Sequence, residues 1–179
     1  MVVPGMEPSV QGTKVCPATA GATNWPSPAY NPDSRYFYVL ATEGCGIGFK
    51  QTDNFQRGGL SGFANSGTSY IESPEEQERW QMYVRALDVT TGKIMWEFKQ
   101  VGGHHYGPGL VSTAGSLLFA GDAQGFLTAH DARTGKPLWH FSTGDILTAS
   151  PIAYAAEGNE YIAQVSGANI IAFGLPEYK

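Results

Sequence analysis

An eleven-residue pattern occurs twice in this chain with six positions identical, and the interval between the copies restricts the fold more than any other feature. Residues 86–96 read A-L-D-V-T-T-G-K-I-M-W, and residues 129–139 read A-H-D-A-R-T-G-K-P-L-W. Alanine, aspartate, threonine, glycine, lysine and tryptophan keep their places, 43 residues apart throughout. Short apolar segments repeating every 40 to 45 residues or so are the pattern of four-stranded propeller blades.

Each copy has a mechanical reading. Residues 84–87 and 127–130 are strand-like, and T-G-K follows as a tight turn in which Gly92 and Gly135 take positive φ without a Cβ penalty. Asp88 and Asp131 accept hydrogen bonds from turn N–H groups. Residues 94–98 and 138–141 return as outer strands. Trp96 and Trp139 are then expected to lie flat between neighbouring blades, each against a small alanine. An ordinary hairpin with a core tryptophan explains one copy, but not two in a single register.

Weaker matches extend the repeat. Residues 36–44 match 117–125 at an interval of 81, and the same piece returns at 160–168. Three all-β, antiparallel blades follow, arranged as a partial β-propeller over residues 1–179: a loop at 1–23, a blade at 24–99, a complete blade at 100–142 and an incomplete last blade at 143–179. The first blade exceeds one period by 38 residues. That excess reads as an insertion at about 45–81, placed between the second and third strands. In the last blade Gly174 stands where Asp88 and Asp131 stood, and no tryptophan follows. A blade short of its outer strand has an open edge, and open edges pair. The expectation is the C-terminal portion of a longer propeller, or else an open solenoid that pairs with other chains. For the chain alone, a dimer or aggregation is expected.

Several function classes drop out. With net charge −5 and only 11 Lys and Arg, the chain has no basic footprint for nucleic acid. No apolar run approaches the roughly 20 residues of a membrane span. No signal peptide is read at the start, which excludes no compartment for a chain expected to be a fragment. His104 and His105 are adjacent, so on a strand they point to opposite faces and make a poor metal pair. Gly44, Gly46 and Gly48 lack the spacing and the following helix of a dinucleotide loop. Lys93 and Lys136 read as solvated turn residues.

Three motifs in order resemble one family, the pyrroloquinoline-quinone (PQQ)-dependent alcohol dehydrogenases, which are eight-bladed quinoproteins. The A-x-D-x-x-T-G-K-x-x-W element is similar to the family's tryptophan-docking motif. C-P-A-T-A-G-A-T-N-W-P-S-P-A-Y-N-P at 16–32 resembles its G-x-N-W region. The tail from A-S-P-I-A-Y through Q-V-S-G-A-N-I-I-A-F-G-L-P resembles its closing blade. The resemblance implies oxidation of a small alcohol, with the PQQ quinone accepting a hydride. It also implies Ca²⁺ or a lanthanide as Lewis acid and an aspartate as base. The motifs for that base and for the metal are not found here, so those groups are expected outside this chain; no catalytic residue and no metal ligand is assigned.

The resemblance carries over Asn24 and Trp25 as cofactor-rim residues, an amide for a quinone oxygen and an indole as a flat wall. Without it they read as a strand-start asparagine and a core tryptophan. The repeat shift puts Asn24 on His105 and Trp25 on Tyr106, then on Thr148 and Ala149. His105 and Tyr106 are therefore expected to line the same cofactor funnel. The family also implies the periplasm, where Cys16 and Cys45 either form a disulfide or remain buried thiols. Expected partners are the remaining blades or another copy of the chain. The chain alone is expected to show no alcohol turnover. A non-enzymatic propeller scaffold of the outer-membrane-assembly type is the alternative reading.

Overall fold

The computed structural model describes residues 4–5, 7–18, 21–50, 80–102 and 107–175, with the backbone alone of 68–71. Among the described residues there is no helix. The strands are β1 (Thr13–Val15), β2 (Ala29–Asn31), β3 (Tyr36–Glu43), β4 (Gly46–Lys50), β5 (Thr68–Ile71), β6 (Gln81–Asp88) and β7 (Ile94–Lys99). They continue with β8 (Leu110–Ser112), β9 (Leu117–Gly121), β10 (Phe126–Asp131), β11 (Pro137–Ser142), β12 (Ile152–Ala156), β13 (Asn159–Ser166) and β14 (Asn169–Gly174).

The chain divides into two compact units, the first made of residues 1–22 and 42–80. Its sheet has the order β1-β4-β5, with Thr13 opposite Gly48 and Val15 opposite Gly46. The opening segment is therefore not all loop, as its proline and glycine content suggested: Thr13–Val15 finds an antiparallel partner in the excursion that interrupts the first blade. Cys16 and Cys45 are joined by a disulfide. Backbone bonds from Ala18 N–H to Gly44 O (2.9 Å) and from Thr42 N–H to Ala22 O (2.7 Å) run alongside it. The buried Trp80 lies on Gly44, where a Cβ would come within 2.5 Å of the indole, and its Nε1–H donates to Cys45 O at 3.2 Å.

The second unit holds three antiparallel sheets, with orders β2-β3-β6-β7, β8-β9-β10-β11 and β12-β13-β14. Alternating polar and apolar residues give each middle strand one buried face, as Met82, Val84 and Ala86 do on β6. The repeated turns form as their residues require. Asp88 Oδ1 accepts from Thr90 N, Thr91 N and Thr91 Oγ1, and Asp131 Oδ1 accepts from Arg133 N, Thr134 N and Thr134 Oγ1. Those bonds favour the charged carboxylates and hold both below their ordinary range, Asp88 chiefly through the Thr91 N–H and Asp131 chiefly through the Thr134 hydroxyl.

One carbonyl takes two bonds across the joint between the first and second sheets. Ala132 O accepts both Tyr38 Oη–H at 2.9 Å and Trp96 Nε1–H at 3.1 Å, so both its lone pairs are used by the neighbouring sheet. The Trp96 ring lies on Gly135, whose Cβ position falls 2.5 Å from the indole. Ala86 faces Trp96 across its own hairpin, but glycine in the next sheet is what makes room for the ring. Trp139 is less enclosed, at 40% exposure. It stacks beside Phe141 and meets Phe173 of the third sheet edge-on, with centroids 5.4 Å apart. The third sheet offers it no aspartate-anchored glycine turn among the described residues, since Gly174 occupies the aspartate place.

Candidate functional site

The first strands of the three sheets are β2, β8 and β12, and the segments entering them come together. Ser27 O accepts Leu110 N–H at 2.8 Å, and Ser27 N–H points to Ser150 Oγ at 3.4 Å. Ser150 Oγ lies so near Gly109 that a Cβ there would overlap it, so residue 109 has to be glycine for the approach. Farther along, Ser112 Oγ–H donates to Tyr30 O at 2.9 Å, and Asn31 Nδ2–H reaches Thr113 O at 3.4 Å. The first two inner strands thus run side by side, and the lead-in to the third is anchored on the first.

Asn24 and Trp25 stand on this lead-in, three and two residues before Ser27. Trp25 is 61% exposed, so it is not the core tryptophan that a bare reading of the segment suggests. Asn24 Oδ1 accepts Trp25 N–H at 2.8 Å, which turns the amide so that Nδ2 is the end suited to an oxygen acceptor. His105 and Tyr106 lie outside the described residues. Thr148 is exposed and Ala149 half-buried where the chain approaches β12.

One contributor was given no role of its own by the sequence. Gln164, on β13 and 1% exposed, donates through Nε2 to Ala149 O at 2.7 Å and to Val165 O at 3.0 Å. Both partners are carbonyls, so the amide cannot be turned round, and its Oε1 is left buried without a partner. Gln164 thereby pins the residue next to Ser150. Its sequence signal is a glutamine inside the otherwise buried run Ile162, Ala163, Gln164.

An exposed indole at Trp25 and a carboxamide at Asn24 stand two and three residues before Ser27 in the chain, residue types that suit a flat, oxygen-edged ring such as a quinone. The described residues do not fit a metal. No group of three or more His, Cys, Asp or Glu side chains able to hold one occurs among them.

Comparison with known proteins bears on the family and the fold. A family model described as outer membrane protein assembly factor BamB (PQQ_2) matches residues 81–173. Quinoprotein alcohol dehydrogenase PedH of Pseudomonas putida is 34% identical over 173 residues, covering 92% of this chain and 26% of its own length. The quinoprotein ethanol dehydrogenase of Pseudomonas putida is 31% identical over 154 residues, covering 86% of this chain and 24% of its own. The solved quinohemoprotein alcohol dehydrogenase ADHIIG from Pseudomonas putida HK5 superposes with a TM-score of 0.75 at 27% identity, over 89% of this chain and 24% of that one. A europium-containing methanol dehydrogenase shares the fold at TM-score 0.72 and 24% identity. The chain spans about a quarter of the length of these relatives. The paired repeats, the sheet order and these matches, which run well beyond the repeats themselves, place the chain in the PQQ-dependent quinoprotein alcohol dehydrogenase family.

Proposed function

We propose that this chain forms part of the cofactor rim of a periplasmic quinoprotein that oxidises small alcohols. The observation that carries this reading is the meeting of the three inner-strand lead-ins at Ser27, Gly109 and Ser150, immediately beside an exposed indole and carboxamide. When bound, PQQ supplies the acceptor for the hydride that leaves the alcohol carbon. The chain's own residues bind and orient. Trp25 gives the ring a flat apolar wall, Asn24 Nδ2 donates to a ring oxygen, and the Ser27–Ser150 contact keeps that loop in place. Gln164 braces the contact from behind. His105 and Tyr106 are proposed to stand at the same rim, as the repeat register implies.

No step is assigned to a metal or a base here, and Ca²⁺ or a lanthanide is assigned to residues outside this chain. Three features support the compartment and the partners. The Cys16–Cys45 disulfide suits an oxidising compartment. No helix among the described residues is long and apolar enough to cross a membrane. The third sheet exposes Ile152, Tyr154 and Ile170, an apolar face suited to another blade.

Equilibrium dialysis of PQQ against the chain tests this reading. Asn24→Ala is expected to weaken binding about tenfold, the value of one lost hydrogen bond to a charged or strongly polar acceptor. Unchanged binding would remove Asn24 from the rim. In a dye-linked alcohol assay the same preparation is expected to be silent, because base and metal site are assigned to residues outside this chain.

A further inference from the structure

His130 is fully buried on β10, and nothing in the proposed function uses it. Its Nδ1 lies 3.0 Å from Gly135 O, and its Nε2 lies 2.9 Å from Thr128 Oγ1. Thr128 Oγ1 is also 2.9 Å from Ala120 O, across the strand pair on β9. A carbonyl only accepts, so Nδ1 has to carry a proton to bond Gly135 O. The Thr128 hydroxyl has one proton and two acceptors within reach. With the ring neutral it donates to Nε2; with the ring charged, Nε2–H donates to Oγ1 and the hydroxyl turns to Ala120 O. Both protonation states are fully hydrogen-bonded by protein groups.

This ring sits inside the joint between the first two sheets. Gly135, whose carbonyl it holds, is the seat of the Trp96 indole, and Phe98 of the first sheet packs against the imidazole at 4.5 Å between centroids. We propose that His130 is a proton-responsive element of that joint: the Thr128 hydroxyl lets the buried ring take up a proton in place, and the acquired charge loosens the seat of Trp96. The equivalent position in the first repeat is Leu87, so that hairpin has no such group.

The surroundings leave the proton to act alone. Asp131 follows His130 on the strand and so faces the other way, with its carboxylate held by Arg133 and Thr134. Glu97 and Lys99 flank Phe98 and point away from it; Glu97 bonds Arg85. Leu118 on β9 and Pro137 on β11, opposite His130 in register, are apolar. The other ionisable groups of the turn and of β11 are Arg133, Lys136 and His140, none bonded to the ring. Burial holds His130 below the ordinary histidine value, and the Gly135 bond only partly offsets it. The sign follows. The unfolded chain takes the proton first, so stability is complete above the ordinary value near pH 6.5 and falls as pH drops through the folded value.

Nitrogen-15 NMR of the histidine rings, titrated on the unaltered full chain, tests this directly. The expected result is a neutral ring protonated at Nδ1, with its titration midpoint below the ordinary value. Thr128→Val, which removes the acceptor for Nε2–H, is expected to weaken proton affinity about tenfold further. An emission component missing from Trp96→Phe should follow the same midpoint, and His130→Leu should abolish that pH response. A neutral ring protonated at Nε2, an unshifted midpoint, a Thr128→Val midpoint equal to the parent's, or Trp96 emission indifferent to pH would each overturn the proposal.

Discussion

Gly135→Ala is expected to destabilise the second unit by about 3–5 kcal/mol, lowering its melting temperature by roughly 10 °C. Two costs combine. Residue 135 has φ +74°, where an L side chain is strained by about 1 kcal/mol or a little more. The new methyl would also stand 2.5 Å from the Trp96 ring, which is tied through Nε1 to Ala132 and cannot slide away. Gly92→Ala separates the two costs. Gly92 occupies the same place in the first repeat at φ +69°, with nothing within 4 Å of the added atom, so about 1 kcal/mol is expected there. In a Trp96→Ala background the Gly135 substitution should cost no more than the Gly92 one. Thermal melts of the four variants check this, and equal costs at 92 and 135 would mean that the indole is not seated on the turn.

Loss of the Cys16–Cys45 disulfide has the other large expected effect. It closes a loop with a sequence separation of 29, for which the chain-entropy relation gives about 3–4 kcal/mol. Asn24, Trp25, β2 and all of β3 lie between the two cysteines in sequence, so reduction removes a restraint on that stretch of chain. The bonds Ala18 N–H to Gly44 O and Thr42 N–H to Ala22 O would then hold these segments together unaided. Urea unfolding of Cys16→Ser/Cys45→Ser beside the oxidised parent measures the loss. Superimposable curves would show that the hydrogen bonds suffice.

What could be read from the sequence was whatever a residue type states by itself. An aspartate, a glycine and a tryptophan at fixed spacing define a turn and a seated ring wherever they recur, so the sheets and their order followed from letters. The exposure of Trp25 was not legible from the residue itself, because an exposed tryptophan and a core tryptophan are the same letter; its proposed role beside Asn24 rests on the family resemblance. The strand at Thr13–Val15 was hidden because its partner, Gly46–Lys50, belongs to the excursion and has no counterpart in the repeat. The meeting of Ser27, Gly109 and Ser150 was hidden for another reason. These residues are not equivalent under the repeat, so only the folded path of each lead-in brings them together. The double bond to Ala132 O was hidden too, since a backbone carbonyl is the same in every residue.

The claim on which the account depends is that the inner ends of these sheets face a quinone while the indoles between sheets do not. Tryptophan emission during a PQQ titration, compared across Trp25→Phe, Trp96→Phe and Trp139→Phe, tests it most directly. Saturable quenching that survives the Trp96 and Trp139 substitutions and disappears with Trp25→Phe is the predicted result. Quenching that persists without Trp25, or that vanishes with Trp96 or Trp139 instead, would contradict the account.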